Sequence, residues 1–83
     1  MIGVTRYLAT YWALDKIRVN TLCPGGVYDN QPEEFLRRIK KEIPLGRMAR
    51  ADEYRGILKF MLSEESSYMT GSTVVIDGGR TIW

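Results

Sequence analysis

The run Ser72-Thr-Val-Val-Ile-Asp77 constrains the fold of this chain more than any other stretch: it is apolar and β-branched, and Gly78-Gly79 closes it. An apolar run without alternation is typical of a parallel strand covered on both faces. A parallel strand needs a partner reached through a crossover, usually a helix. Ile17-Arg-Val-Asn-Thr-Leu22 supplies the candidate: it is short, contains β-branched residues and stops at Cys23-Pro-Gly-Gly26.

The segments around these strands carry helical spacing. Apolar residues at Met1, Val4, Leu8, Tyr11, Trp12 and Leu14 predict a first helix reaching Lys16, whose cation suits the negative end of the helix dipole. No Ser, Thr or Asp stands immediately before the run, so it reads as the later part of a longer helix. A second helix is predicted from Pro32 with Glu33 and Glu34 in its first turn, an apolar face of Phe35, Leu36, Ile39 and Ile43, Lys40 and Lys41 in its last turn, and Pro44 as its stop. A third begins near Ala51, with Asp52 and Glu53 at its start, and is expected to bury Tyr54, Ile57, Leu58 and Met61. Gly56 inside that helix suggests close packing against a neighbour. Ser63 to Gly71 reads as a turn-rich connector with one helical turn.

The resulting order is helix, strand, helix, helix, strand, an α/β arrangement in one domain covering residues 1–83. Two parallel strands are not an independent fold, because such sheets need several strands and cover on both faces. The sheet is therefore expected to be incomplete, with one edge open to a neighbour.

Composition narrows the chemistry. At 83 residues with 45% hydrophobic and 27% charged residues the chain is globular in character, and it contains one cysteine and no histidine. An internal disulfide is thereby excluded, and the commonest zinc ligand and the usual base for a serine or cysteine nucleophile are missing. No metal site is expected, and Cys23 reads as a small packed residue. The net charge of +2 is too small to imply a polyanionic partner. Arg37, Arg38, Lys40 and Lys41 lie in a segment that also has Glu33, Glu34 and Glu42, and Glu33 to Arg37 and Glu34 to Arg38 have the spacing of solvated helix pairs, so no nucleic-acid partner is expected. No apolar run approaches a membrane span and no signal-type start is present, so no membrane partner is expected and the chain reads as cytoplasmic.

Three motifs in this order and spacing, IRVNTLCPGGV, PLGRMARADE and SSYMTGSTVVIDGG, resemble the C-terminal part of the short-chain dehydrogenase/reductase family, over essentially the whole chain. The resemblance implies a Rossmann-like doubly wound parallel sheet, of which this stretch supplies the last two strands and their helices, with most of the domain upstream of Met1. It also implies NAD or NADP as cofactor and an oxidoreductase reaction at a CH-OH or carbonyl group. The family's glycine-rich phosphate turn has no counterpart here, since Gly25-Gly26 and Gly78-Gly79 lack the fingerprint spacing. Its Tyr-x-x-x-Lys pair is also missing: four positions beyond Tyr7, Tyr11, Tyr28, Tyr54 and Tyr68 stand Tyr11, Asp15, Pro32, Leu58 and Ser72. No catalytic residue is therefore assigned, and the chain alone is expected to be inactive.

The resemblance assigns Pro24, Gly25, Gly26 and Val27 to the segment that passes the nicotinamide, where backbone groups bond the carboxamide and a side chain would collide with the ring. Asp29 stands where many relatives carry a threonine that helps bind the cofactor, so that contact is not carried over. Tyr28, Asn30 and Gln31 begin the substrate-covering region; they either face a polar substrate or only cap and pack the following helix. The PGGVYDNQ form is similar to relatives of sugar metabolism, pointing to a small-molecule, sugar-related substrate. Family habit also implies a homo-oligomer burying the first helix, with Tyr7, Tyr11 and Trp12, and the last strand. The alternative function is a non-catalytic assembly module that pairs with another chain through the open sheet edge.

Overall fold

The computed structural model describes residues 2–83. Helix α1 spans Ile2–Tyr11, strand β1 Thr21–Pro24, helix α2 Glu33–Lys40, helix α3 Arg55–Met61 and strand β2 Thr73–Ile76. Short 3₁₀ turns fall at Ala13–Asp15, Ala51–Tyr54, Glu64–Ser66 and Arg80–Ile82. The strands pair in parallel with Thr21 opposite Thr73 and Pro24 opposite Ile76, so the order and the crossover expected from the sequence are both present.

The element boundaries differ from the periodic reading for identifiable reasons. Strand β1 runs to Pro24 instead of covering residues 17–22. Residues before it bond to the 69–72 segment largely through side chains: Thr70 Oγ1 accepts from Val19 N–H (3.1 Å), and Asn20 Oδ1 accepts from Ser72 N–H (3.0 Å). Pro24 fits the strand end because the next ladder donor is Gly25 N–H, 2.8 Å from Ile76 O. Helix α1 stops at Tyr11, and Lys16, at φ 61°, closes the following 3₁₀ turn instead of the helix.

The face that α1 presents to the sheet is also unexpected. Its buried residues are the small Thr5 and Ala9: the Thr5 hydroxyl bonds the buried Thr21 hydroxyl on β1, and Ala9 lies beside Gly71, just before β2. Val4, Tyr11 and Leu14 of the predicted apolar stripe are exposed, while Leu8 and Trp12 are half-buried. Met1, which belongs to the same predicted stripe, lies outside the described residues. Tyr7 stacks on Tyr11 at a ring separation of 5.8 Å, and Trp12 meets Tyr11 edge-on.

In α3, Tyr54 at its start is buried and Ile57 and Met61 are half-buried, but Leu58 is exposed. Gly56 faces open space, which removes the packing reason inferred for it. Helix α2 starts at Glu33 with Pro32 as the preceding extended residue, and among the described residues the spaced pairs Glu33–Arg37 and Glu34–Arg38 form no ion pair.

The radius of gyration is 15.6 Å, against about 12 Å for a compact domain of this length. Among the described residues only Ala9, Ile43 and Tyr54 form a buried apolar core, and Val75 of β2 remains half exposed. Little of the apolar surface is covered from within the chain. Among the described residues no helix is long and apolar enough to cross a membrane, and no group of acidic residues and cysteine gathers with metal-ligating geometry.

Candidate functional site

The two strands end side by side, and their carboxyl ends deliver Gly25-Gly26 and Asp77-Gly78-Gly79 to one edge of the molecule. In open parallel sheets this is the edge where ligands bind. Pro24, Gly25, Gly26 and Val27 continue β1 directly into a loop, with Gly25 and Val27 half-buried and Pro24 and Gly26 exposed.

Gly25 is required by a neighbour inside the chain. A Cβ at position 25 would lie 2.8 Å from Asp77 Cα, so the loop leaves β1 pressed against the backbone at the end of β2. At position 26 the nearest atom is the flexible Met48 methyl, also at 2.8 Å. The first glycine thus answers to backbone packing and the second to an adaptable side chain.

The 47–54 segment lies along the loop like a splint. Ala49 N–H donates to Gly26 O (3.1 Å), and Ala49 O accepts from Tyr28 N–H (2.8 Å). Farther along the same segment, the buried Tyr54 hydroxyl accepts from Gly25 N–H at 3.0 Å. The segment is itself held by Glu53, whose carboxylate takes two bonds from the Arg47 guanidinium (2.6 and 2.9 Å) and one from Arg50 N–H (2.9 Å). These bonds, the Arg47 side chain first, hold the Glu53 carboxyl down to about 2. Among the described residues the N–H groups of Gly26 and Val27 have no partner, leaving two consecutive donors between anchored neighbours.

The residues expected to cover a substrate separate into two roles. Gln31 closes the turn after the loop: its Nε2 donates to Val27 O (3.0 Å) and its Oε1 accepts from Asp29 N–H (2.8 Å). Asn30 sits at φ 56° and accepts from the Tyr28 hydroxyl (3.2 Å), an arrangement asparagine tolerates well. Neither caps α2, whose N-terminus has no side-chain cap. Tyr28 alone of the three reaches a groove of about 440 Å³, where Leu36, Arg37, Ile39, Lys40 and Met48 also line the wall. Arg37 and Lys40, read from the sequence as a solvated face, therefore border a concavity.

Sequence reasoning did not find Tyr54 as a loop anchor. A tyrosine at a helix start has no periodic signature separating a core ring from one whose hydroxyl is used. Asp77 was read only as a strand end, yet its carboxylate accepts from Gly79 N–H (2.9 Å) and from the Thr81 backbone (3.2 Å) and hydroxyl (2.8 Å). The Thr81 hydroxyl leads in lowering the Asp77 pKa. Cys23 is a free, half-buried thiol on β1.

A pair of parallel strands, crossed over through helices and opening glycine loops at their carboxyl ends, is an α/β arrangement of the Rossmann type. The comparisons give the family. A family model described as enoyl-(acyl carrier protein) reductase matches residues 1–81. An uncharacterized short-chain type dehydrogenase/reductase of Sinorhizobium fredii is 41% identical over 95% of this chain and 16% of its own. The NADH-dependent L-xylulose reductase of Ambrosiozyma monospora is 40% identical over 100% of this chain and 34% of its own. The crystal structure of a short chain dehydrogenase from Leptospira borgpetersenii with bound NAD+ superposes with a TM-score of 0.90 at 42% identity, over 96% of this chain and 32% of that one. The chain belongs to the short-chain dehydrogenase/reductase family and spans about a third or less of the length of these relatives.

Proposed function

We propose that this chain is the C-terminal portion, within a single partial domain, of an NAD(P)-dependent oxidoreductase acting on a CH-OH or carbonyl group, and that it forms the nicotinamide-side wall of the site. The observation that carries the reading is the pair of unpartnered N–H groups at Gly26 and Val27, fixed between Gly25 and Tyr28 at the carboxyl end of β1. Two consecutive free amides offer donors for the carboxamide oxygen of a nicotinamide, and the exposed Gly26 adds no side chain in its way. The cofactor, NAD or NADP, supplies the hydride acceptor when bound. This chain's part is to orient the ring through Pro24 to Val27 and to shield the reacting face from water through the segment that begins at Tyr28.

The substrate on this reading is a small polar molecule taken beside Tyr28, with Asn30 and Gln31 shaping the turn that carries it. A polyol or keto-sugar is the class we favour, by likeness to the L-xylulose reductase. The exposed Tyr7 and Tyr11 on α1 are proposed to be covered in a homo-oligomer. The assembly-module alternative is not favoured, because relatives matching across the chain are reductases and dehydrogenases.

Titrating isotope-labelled protein with NAD+ tests the central assignment. The Gly26 and Val27 amide signals are expected to move together. If those two stay fixed while amides elsewhere respond, the loop is not the nicotinamide wall. The 83-residue chain on its own is expected to oxidise NADH no faster than background, since it holds no Tyr-x-x-x-Lys pair.

A further inference from the structure

Tyr54 lies 29 residues from Gly25 in sequence and meets it with its hydroxyl. The ring is buried, 8% exposed, so the oxygen needs partners within the protein. It accepts from Gly25 N–H at 3.0 Å, and Ile76 O, also at 3.0 Å, is the nearer of two acceptors for its own hydrogen. Gly25 N–H simultaneously donates to Ile76 O at 2.8 Å. One phenol oxygen therefore joins three things: the first residue of the glycine loop, the last residue of β2 and the start of α3.

This junction has a directional consequence. The 49–54 segment touches the loop twice, at Gly25 through Tyr54 and at Gly26 and Tyr28 through Ala49. Without the first contact the segment would hold only the far end of the loop, and the near end would rest on the single ladder bond from Gly25 N–H to Ile76 O, with two flexible glycines beyond it. The two unpartnered N–H groups sit between the contacts, so their direction is set by both.

We propose that Tyr54 is a positioning residue for nicotinamide recognition, its hydroxyl fixing the Gly25 end of the loop so that the Gly26 and Val27 amides converge on the carboxamide. The inference rests on the nicotinamide-wall reading above and adds a residue to it. Tyr54 touches no reacting atom; it acts through the loop backbone.

Tyr54→Phe keeps the ring and removes only the oxygen. Binding of NAD+ and of ADP-ribose, which lacks the nicotinamide, is followed through the Gly26 and Val27 amides and by titration. The variant is expected to bind NAD+ about tenfold more weakly, the scale of one lost hydrogen bond, with its response to ADP-ribose unchanged. Equal NAD+ affinity in the two proteins overturns the proposal alone, as does an equal loss for both probes, which marks a general structural defect. A wild type whose Gly26 and Val27 amides ignore NAD+ overturns the wall reading, and the proposal falls with it. Should the variant not fold, the wild type still decides: the Tyr54 hydroxyl proton must exchange slowly enough to show a through-space contact to the Gly25 amide, and its absence refutes the anchor.

Discussion

Gly25 lies against Asp77 so closely that a methyl group on it would stand 2.8 Å from the Asp77 α-carbon and 2.9 Å from its β-carbon. Backbone at the end of a paired strand cannot move aside as a side chain does. Gly25→Ala is therefore expected to destabilise the protein by about 1–3 kcal/mol, the usual cost of overpacking. Gly26→Ala meets only the Met48 methyl and is expected to cost less. Denaturant midpoints of the two variants check the order; a milder effect at position 25 than at 26 would contradict it.

The hydroxyl pair Thr5–Thr21 is the polar contact under α1, and both residues are buried. Thr21→Val preserves shape but leaves the Thr5 hydroxyl without that partner. A loss of about 0.5–1.5 kcal/mol is expected, the net contribution of one hydrogen bond. Thr21→Ser, which keeps the hydroxyl, should lose less, and equal losses for the two would show that the methyl and not the bond matters.

Arg18 gathers three carbonyls at the end of α3 and beyond it: Nη1 donates to Met69 O (3.0 Å), and Nη2 to Met61 O (3.2 Å) and Ser63 O (3.4 Å). The Met61 and Ser63 carbonyls lie where a helix runs out of internal donors. Replacement by alanine removes the charged donor while Ser66 Oγ still serves the Met61 and Ser63 carbonyls and Asn20 Nδ2 the Met69 carbonyl, so a loss of about 1.5 kcal/mol is expected, the lower end for hydrogen bonds to a charged group. Arg18→Lys retains the charge but not the fork, so it should recover only a minor part. Full recovery with lysine would reduce the interaction to simple charge.

The strands, their parallel sense and the glycine loops were legible because an apolar β-branched run stopped by glycines has few other readings. The α1 face was not. Val4, Tyr11 and Leu14 have helical spacing, yet the helix buries Thr5 against β1 and Ala9 beside Gly71, because close approach of backbones selects small side chains. Periodicity identifies an apolar face without saying whether this chain or another surface covers it. The site divided in the same way: Pro24 to Val27 were visible as a loop, but the bonds from Tyr54, Ala49 and Gln31 that fix it are long-range or backbone contacts with no sequence spacing of their own.

Acid should loosen the splint through Glu53. Its folded pKa is held down to about 2 from an ordinary 4.5, chiefly by the Arg47 side chain and then by Arg50 N–H. A depressed carboxylate contributes stability that is fully present above the unfolded value and disappears as pH falls through the folded one. The contribution from Glu53 is thus constant above about pH 5 and is lost between about pH 4.5 and 2. Glu53→Gln lacks the charge at every pH. Its melting temperature should fall below that of the wild type by a fixed interval at neutral pH, and the interval should close as the wild-type carboxylate is protonated. Asp77 is depressed in the same direction, but it is present in both proteins, so the comparison isolates Glu53. An interval that stays constant down to pH 2 would mean that the Arg47 and Arg50 contacts do not hold the carboxylate in the folded chain.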